Sequence, residues 1–206
     1  MTMRLIGKLD SPFVRRVAVS LHLQGLAFVH ENLSVFGDYP TFADINPVVK
    51  APTLVLDDGT VLLDSTLILE VVERMAAPDL RLAPQDPKVF ARHQRIIGLA
   101  LAACEKTFQI VVEEKLRPAA KRHEPWLGRI GDQLVAAYHL LDEAVVCTTP
   151  WLSGPRLMQA DITAAIAWRF TTDTLPGRLA AADHPHLTQL SADAEATEAF
   201  RAMSPA

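Results

Sequence analysis

The sequence predicts a small α/β domain followed by an all-helical domain, and three observations support this fold class. Strand-like and helix-like patterns alternate up to about residue 75. A proline-rich stretch, AAPDLRLAPQDP, then interrupts the periodicity over residues 76–87. Beyond it, apolar residues recur only at the spacings of three and four that helices show. We therefore predict an N-terminal domain over residues 1–77, a linker over 78–87 and a helical domain over 88–206.

The first domain is predicted element by element. Residues 4–7 are predicted to form a short strand, and residues 14–21 have helical apolar spacing. Residues 27–33 alternate as a second strand, and an irregular segment follows. Two apolar runs then flank Asp58-Gly59, which is a strong hairpin signal. A helix is predicted after the hairpin, with apolar residues on one side between positions 67 and 75. This order resembles a thioredoxin-like domain.

The second domain is predicted to be a helical bundle. Its segments 88–117, 126–146 and 159–175 have helical spacing, and a short final segment follows the sequence HPHL. We interpret His184 and His186 in that sequence as loop histidines, because no cysteine or carboxylate cluster accompanies them to complete a metal site.

Composition and charge exclude several function classes. The net charge of −4 argues against nucleic acid as a partner, because nucleic-acid-binding domains usually present a basic face. No apolar run approaches the roughly 20 residues of a membrane span, and no signal peptide is visible, so we expect a cytoplasmic protein with no membrane partner. Cys104 and Cys147 are expected to be buried, reduced thiols, and no metal is expected.

The motif SPFVRRV, residues 11–17, marks the start of the first helix. Pro12 suits the first helical position, and Ser11 is predicted to cap the helix. A helix N-terminus also favours an anion, and a serine hydroxyl there can donate a hydrogen bond to a thiolate. Arg15 and Arg16 could steer an anionic ligand, although we expect at least one of them on a solvated helix face.

A second motif, NPVVKAPTLVLDDGTVLLDSTLILEVVE, extends from residue 46 to residue 73. In a thioredoxin-like fold, a cis proline at Pro52 would expose the backbone of Ala51, with which an extended peptide can pair as an added strand. Asp64 and Ser65 lie at the start of the next helix, where Ser65 can cap and neighbouring amides can hold a carboxylate. Lys50 adds a positive charge nearby.

These segments together resemble the cytosolic glutathione transferases, most closely the serine-type tau-like and related bacterial enzymes. SPFVRRV resembles their active-site segment, NPVVKAPTL the cis-proline segment and LLDSTLILEVVE the segment that binds the γ-glutamyl end of glutathione. WLSGPRLMQADITAAIAW resembles the signature of their helical domain. The resemblance implies reduced glutathione as cosubstrate, an apolar small-molecule electrophile as its reaction partner, no metal and a homodimer.

The resemblance also implies roles for matched positions. Ser11 would donate to the glutathione sulfur, and Phe13 would shape the sulfur pocket, although Phe13 could equally be a core residue. Lys50 would contact the glycyl carboxylate, and Ala51, beside cis Pro52, would pair with the cysteinyl backbone. The γ-glutamyl amine and carboxylate would be held by Asp64 and Ser65. The electrophile pocket would be lined by Phe108, Val111 and Trp168.

Several alternatives remain open at this point. A non-catalytic ligand-binding or scaffold protein could use the same fold. Reduction of organic hydroperoxides stays open, because it needs only the bound thiolate. An omega-like thiol transferase is disfavoured, because that reaction needs a cysteine at the position of Ser11. Met158 occupies a cap position where the family usually has serine or threonine, so we expect a missing cap there, and Asp161 is expected to be structural.

Overall fold

The computed structural model describes residues 2–146 and 150–205. The chain divides into two compact units, one formed by Met1–Ala83 with Ala196–Ala206 and the other by Pro84–Glu195. The first unit thus extends into the predicted linker and includes the C-terminal segment, which the sequence had assigned to the helical domain. Cys147 lies outside the described residues, whereas Cys104 is a buried thiol, as predicted.

The first unit begins with the thioredoxin-like arrangement of strands and helices. Its strands and α-helices before residue 76 are β1 (Met3–Ile6), α1 (Pro12–Leu23), β2 (Phe28–Glu31), α2 (Tyr39–Ile45), β3 (Thr53–Val55), β4 (Val61–Leu63) and α3 (Ser65–Met75). The sheet has the strand order β2-β1-β3-β4, in which β1 and β2 are parallel and β3 is antiparallel to both β1 and β4. The predicted hairpin at Asp58-Gly59 is therefore confirmed as the β3–β4 connection.

An apolar core holds this unit together. It consists of one face of α1, one face of α3 and the buried side chains of the central strands, namely Met3, Leu5, Val14, Val17, Ala18, Leu21, Leu54, Ile68, Leu69 and Val72. Because both helices are fixed against the same sheet, their N-terminal ends are held in defined positions. Helix α2, which the sequence analysis missed, occupies part of the segment expected to be irregular.

The second unit is a bundle of helices, as predicted. Its helices are α4 (Pro87–Val111), α5 (Glu124–Ala144), α6 (Gln159–Thr174) and α7 (Pro185–Glu195), and a π-helical turn, Val112–Leu116, continues α4. The last helix, α8 (Glu198–Ala202), belongs to the first unit. Of the helices that the structure describes, none combines the length and the apolar character that a membrane crossing needs.

Of the two histidines predicted to lie in a loop, only His184 does so, between Asp183 and the start of α7, and it is 5% exposed with its ring against Trp168. The prediction for His186 was wrong, because it lies in the first turn of α7. The Nδ1 atom of His186 lies 2.9 Å from Asp142 Oδ2, and the same carboxylate accepts a hydrogen bond from the Leu187 N–H at 2.8 Å. Asp142 on α5 thus caps the start of α7, a contact between positions distant in sequence.

The start of α6 is organised by Asp161 rather than by a side-chain cap at Met158. Met158 is the N-cap residue, and its side chain faces the N–H of Asp161 in a capping box. Asp161 is fully buried, and its carboxylate accepts hydrogen bonds from Met158 N–H at 2.9 Å and Leu152 N–H at 2.8 Å. Asp161 therefore supplies one half of the capping box, whereas Met158 makes no side-chain capping hydrogen bond, since a thioether sulfur is only a weak acceptor. Burial raises the pKa of Asp161 to about 6, although these two hydrogen bonds act to lower it.

Candidate functional site

Ser11 occupies the N-cap position of α1, directly before Pro12. Its backbone is extended, with φ −74° and ψ 123°, and its carbonyl accepts the N–H of Arg15 at 2.9 Å. The side chain makes no capping hydrogen bond, so the predicted hydroxyl cap is wrong. The half-buried hydroxyl is consequently not used by the helix that it precedes, and it stands beside the positive end of the helix dipole.

Gly7 brings three parts of this region into close contact. It follows β1 with a φ of +134°, which side chains rarely adopt. A Cβ atom at this position would lie 2.6 Å from Val14 Cγ2 on α1 and 3.1 Å from the Ala51 Cβ. The end of β1, the beginning of α1 and the residue before Pro52 therefore converge where only a glycine fits.

The peptide bond between Ala51 and Pro52 is cis, as the family resemblance implied. The loop before it is fixed by a short hydrogen-bond chain: Asn46 Nδ2 donates to Thr53 Oγ1, and Thr53 Oγ1 donates to the Lys50 carbonyl, each at 2.8 Å. Asn46 and Thr53 are buried. The position of Ala51, just before the start of β3, is thus fixed by buried, hydrogen-bonded side chains.

Asp64, rather than Ser65, caps α3. Its Oδ1 accepts a hydrogen bond from Thr66 N–H at 2.9 Å, and its backbone has a φ of +71°, which is rare for a residue with a side chain. Lys50 Nζ lies 3.3 Å from Asp64 Oδ2. Burial alone would raise the pKa of the Asp64 carboxyl, but the hydrogen bonds from Thr66 and Lys50 outweigh it, so the pKa lies below its usual value.

Ser65 is the first residue of α3 and is only 4% exposed. Its hydroxyl oxygen accepts a hydrogen bond from Arg16 Nη1 at 3.1 Å, and Thr66 Oγ1 lies 3.4 Å from the same nitrogen. A guanidinium has donors and no acceptor, so the Ser65 hydroxyl proton is left to point elsewhere. A cation on α1 thus lies beneath the N-terminus of α3, and both features favour an anion there.

The prediction that at least one of Arg15 and Arg16 lies on a solvated face was wrong, because each is only 2% exposed. Arg15 Nε donates to the Met203 carbonyl at 2.9 Å, and the guanidinium lies 5.2 Å from the centre of the Phe200 ring. Arg15 therefore holds the C-terminal segment onto α1. Sequence reasoning missed these roles, since both depend on partners at least 49 positions away.

The three residues predicted for the electrophile pocket all belong to the second unit. Phe108 on α4 is 45% exposed and Val111 is half-buried. Trp168 on α6 is only 5% exposed and packs edge-on against Tyr138, with ring centres 5.3 Å apart. Trp168 is therefore a core residue of the bundle, so its place in the pocket is not supported, whereas Phe108 and Val111 remain predictions. Phe13, in the first turn of α1, is half-buried.

Within residues 2–146 and 150–205, no group of three or more histidine, cysteine, aspartate or glutamate side chains is placed to hold a metal ion. The groups that converge in the first unit are instead a hydroxyl, a cis-proline loop, an exposed lysine–aspartate pair and a helix N-terminus above a buried guanidinium. Such a set suits an extended peptide with charged ends.

Comparisons with known proteins agree with this arrangement. Residues 5–79 match the family model described as glutathione S-transferase, N-terminal domain. The uncharacterized GST-like protein YibF of Escherichia coli is 29% identical over 203 residues, covering 98% of both chains. A glutathione S-transferase from Methylobacterium radiotolerans, solved with glutathione sulfonate, is 28% identical with a TM-score of 0.90, covering 100% of this chain and 95% of its own. A family member from Pseudomonas fluorescens Pf-5 with bound glutathione is 25% identical with a TM-score of 0.84 over both complete chains.

Proposed function

Because the chain belongs to the glutathione S-transferase family, we propose that it is a glutathione transferase. It binds reduced glutathione in the first unit, beside the N-terminal ends of α1, β3 and α3, and activates the sulfur as a thiolate. The thiolate then attacks an apolar electrophile, or reduces an organic hydroperoxide. Neither reaction needs a metal, because the protein contributes positioning and electrostatic stabilisation.

The observation that carries this proposal is the Ser11 hydroxyl, which precedes α1 without capping it. A free thiol with a pKa of about 8.5 is only a few per cent ionised at pH 7, and lowering that pKa by two units requires about 2.7 kcal/mol. A hydrogen bond to a charged group contributes about 1.5–3 kcal/mol, and a helix N-terminus adds about 0.3–1 kcal/mol. One donated hydrogen bond from Ser11 at this place therefore accounts for most of the activation.

The remaining contacts are proposed from the same geometry. The close approach of Ala51 to Gly7 supports a cysteinyl moiety that pairs with the Ala51 backbone beside cis Pro52. Lys50 binds the glycyl carboxylate, and Asp64 binds the γ-glutamyl amine. The amides at the start of α3 and the Ser65 hydroxyl hold the γ-glutamyl carboxylate, supported by the buried guanidinium of Arg16.

Retention on glutathione resin, followed by an assay with 1-chloro-2,4-dinitrobenzene, tests the function. We expect both binding and turnover. Binding without turnover would favour a ligand-binding protein instead, and the absence of both would favour a scaffold. The Asp64→Ala variant should weaken glutathione binding much more than it slows turnover at saturation, whereas Asp44→Ala, which removes an exposed carboxylate from α2, should change neither.

We also propose that the protein is a homodimer, as the family resemblance implies. Size-exclusion chromatography with light scattering measures this directly, because the chain has a mass of 22.6 kDa and a dimer has twice that mass. A monomer at micromolar concentration would contradict the proposal without affecting the assignment of the glutathione site.

A further inference from the structure

We propose that the second unit carries a carboxylate-binding site that selects anionic electrophiles. The site is formed by Lys115, Arg122 and Arg178 around Glu114, and we call it the basic cluster. This inference rests on the proposed function, because the carboxylate belongs to the second substrate of the transferase reaction. The inference restricts the proposed second substrate to apolar electrophiles that also bear a negatively charged group.

The contacts of Glu114 show that these cations converge. Arg178 Nη2 donates to the Glu114 carboxylate, and Arg122 Nη2 donates to the Glu114 backbone carbonyl. Lys115 is the next residue of the π-helical turn, and its Nζ donates to the Thr174 carbonyl at 3.1 Å. Thr174 lies four positions before Arg178 in the sequence. Two stretches of the chain thus supply these positive groups: residues 114–122, and the segment after α6, where Arg178 lies 64 positions from Glu114.

The charges of the basic cluster are not balanced within it. The basic cluster contains three cations and one carboxylate, that of Glu114, which is bonded to Arg178, whereas Arg122 and Lys115 are bonded to backbone carbonyls. The neighbouring Glu113 is buried and is already bonded to Arg117 Nε at 2.8 Å and to His123 N–H at 2.9 Å, so that pair is neutral as a unit. Because the whole chain has a net charge of −4, this local excess of positive charge opposes the general field of the protein.

The cluster also retains the hydrogen-bond donors that an anion needs. A lysine ammonium has three donors and a guanidinium has five, all without an acceptor. Each side chain uses one contact in the protein: Lys115 with Thr174, Arg122 with the Glu114 carbonyl and Arg178 with the Glu114 carboxylate. All three residues are exposed, so their remaining donors are open to a ligand. The planar fork of an arginine matches a carboxylate particularly well.

The position of the cluster connects it to the predicted electrophile pocket. Lys115 follows Val111 by four residues along the continuous helical run of α4 and its π-helical turn. Side chains four residues apart are neighbours on a helix surface. Phe108, 45% exposed, lies three residues before Val111. The run thus presents an apolar surface followed by a cation, which is complementary to an aromatic ring with a carboxylate at one end.

The experiment compares two electrophiles that differ in charge. Neutral 1-chloro-2,4-dinitrobenzene and anionic 4-chloro-3-nitrobenzoate undergo the same displacement of chloride by the glutathione thiolate. We expect Lys115→Gln and Arg178→Gln each to lower the anionic-to-neutral ratio of kcat/KM about tenfold, since each removes a charge-assisted hydrogen bond. Lys88→Gln removes an exposed positive charge at the start of α4 and should leave the ratio unchanged.

Calorimetric titration of 4-chloro-3-nitrobenzoate without glutathione separates this inference from the proposed function. If the protein shows no turnover with either electrophile, the transferase proposal fails, but binding of the benzoate still decides whether the basic cluster is a site. Binding that Lys115→Gln and Arg178→Gln weaken, and Lys88→Gln does not, supports the inference. Equal binding by all variants, no binding at all, or an unchanged kcat/KM ratio overturns it.

Discussion

Replacement of Gly7 by alanine tests the close packing on which the candidate site depends. Alanine would adopt the φ of +134° only under strain, which costs about 1–3 kcal/mol. Its Cβ would also meet Val14 Cγ2 at 2.6 Å, and overpacking of a core position costs about 1–3 kcal/mol more. We therefore expect Gly7→Ala to lower the free energy of unfolding by about 2–6 kcal/mol.

Gly59 provides a matched control for this prediction. Its φ is +89°, but no heavy atom lies within 4 Å of the position of an added Cβ. Gly59→Ala should therefore incur the backbone strain alone, about 1–3 kcal/mol. Urea denaturation followed by circular dichroism measures both variants. Equal losses for the two substitutions would refute the steric argument, because only Gly7 has neighbours in contact.

The same substitution has a consequence for binding. The added methyl group would also lie 3.1 Å from the Ala51 Cβ, so it displaces either α1 or the cis-proline loop. Either shift changes the separation between Ser11 and Ala51. If the variant folds at low temperature, its glutathione dissociation constant should rise well above that of the parent protein, whereas Gly59→Ala, in the hairpin turn, should bind normally.

Two further predictions concern the start of α6. Because burial raises the pKa of Asp161 from 3.8 to about 6, its stabilising contribution is complete below pH 4 and is lost as the pH rises through 6, by about 3 kcal/mol. Denaturation measured from pH 4 to 7 should show this loss in the parent protein and not in Asp161→Asn, and equal slopes would contradict it. Met158→Ser should raise the melting temperature by a few degrees, because a hydroxyl accepts the N–H of Asp161 better than a sulfur does; an unchanged or lower value would show that the existing contact suffices.

Local sequence patterns predicted the elements whose causes are local. The Asp58-Gly59 hairpin, the start of α1 at Pro12 and the helices of the second unit follow from turn chemistry, proline geometry and apolar spacing. Helix α2 was missed because its seven residues bury only Phe42 and carry no clear periodicity. The return of residues 196–206 to the first unit was also missed, since it depends on the contact between Arg15 and Met203.

The candidate site was predictable to the extent that it follows motifs. Ser11 and the cis peptide bond before Pro52 lie where the motifs place them, but the roles of individual side chains were less predictable. Asp64 caps α3 in place of Ser65, because α3 begins at Ser65 and Asp64 is the residue before it. No local signal distinguishes a buried arginine from a solvated one, and only the packing of α1 against α3 reveals the difference.

The ionisation of bound glutathione tests the central claim most directly. The ultraviolet absorbance of the thiolate, followed as a function of pH in the binary complex, gives the pKa of the sulfur. We expect a value about two units below the 8.5 of a free thiol, and a return towards about 8.5 in Ser11→Ala with glutathione affinity nearly unchanged. Ser204→Ala, at an exposed position, should leave the titration as it is. A titration that Ser11→Ala does not move would contradict the account.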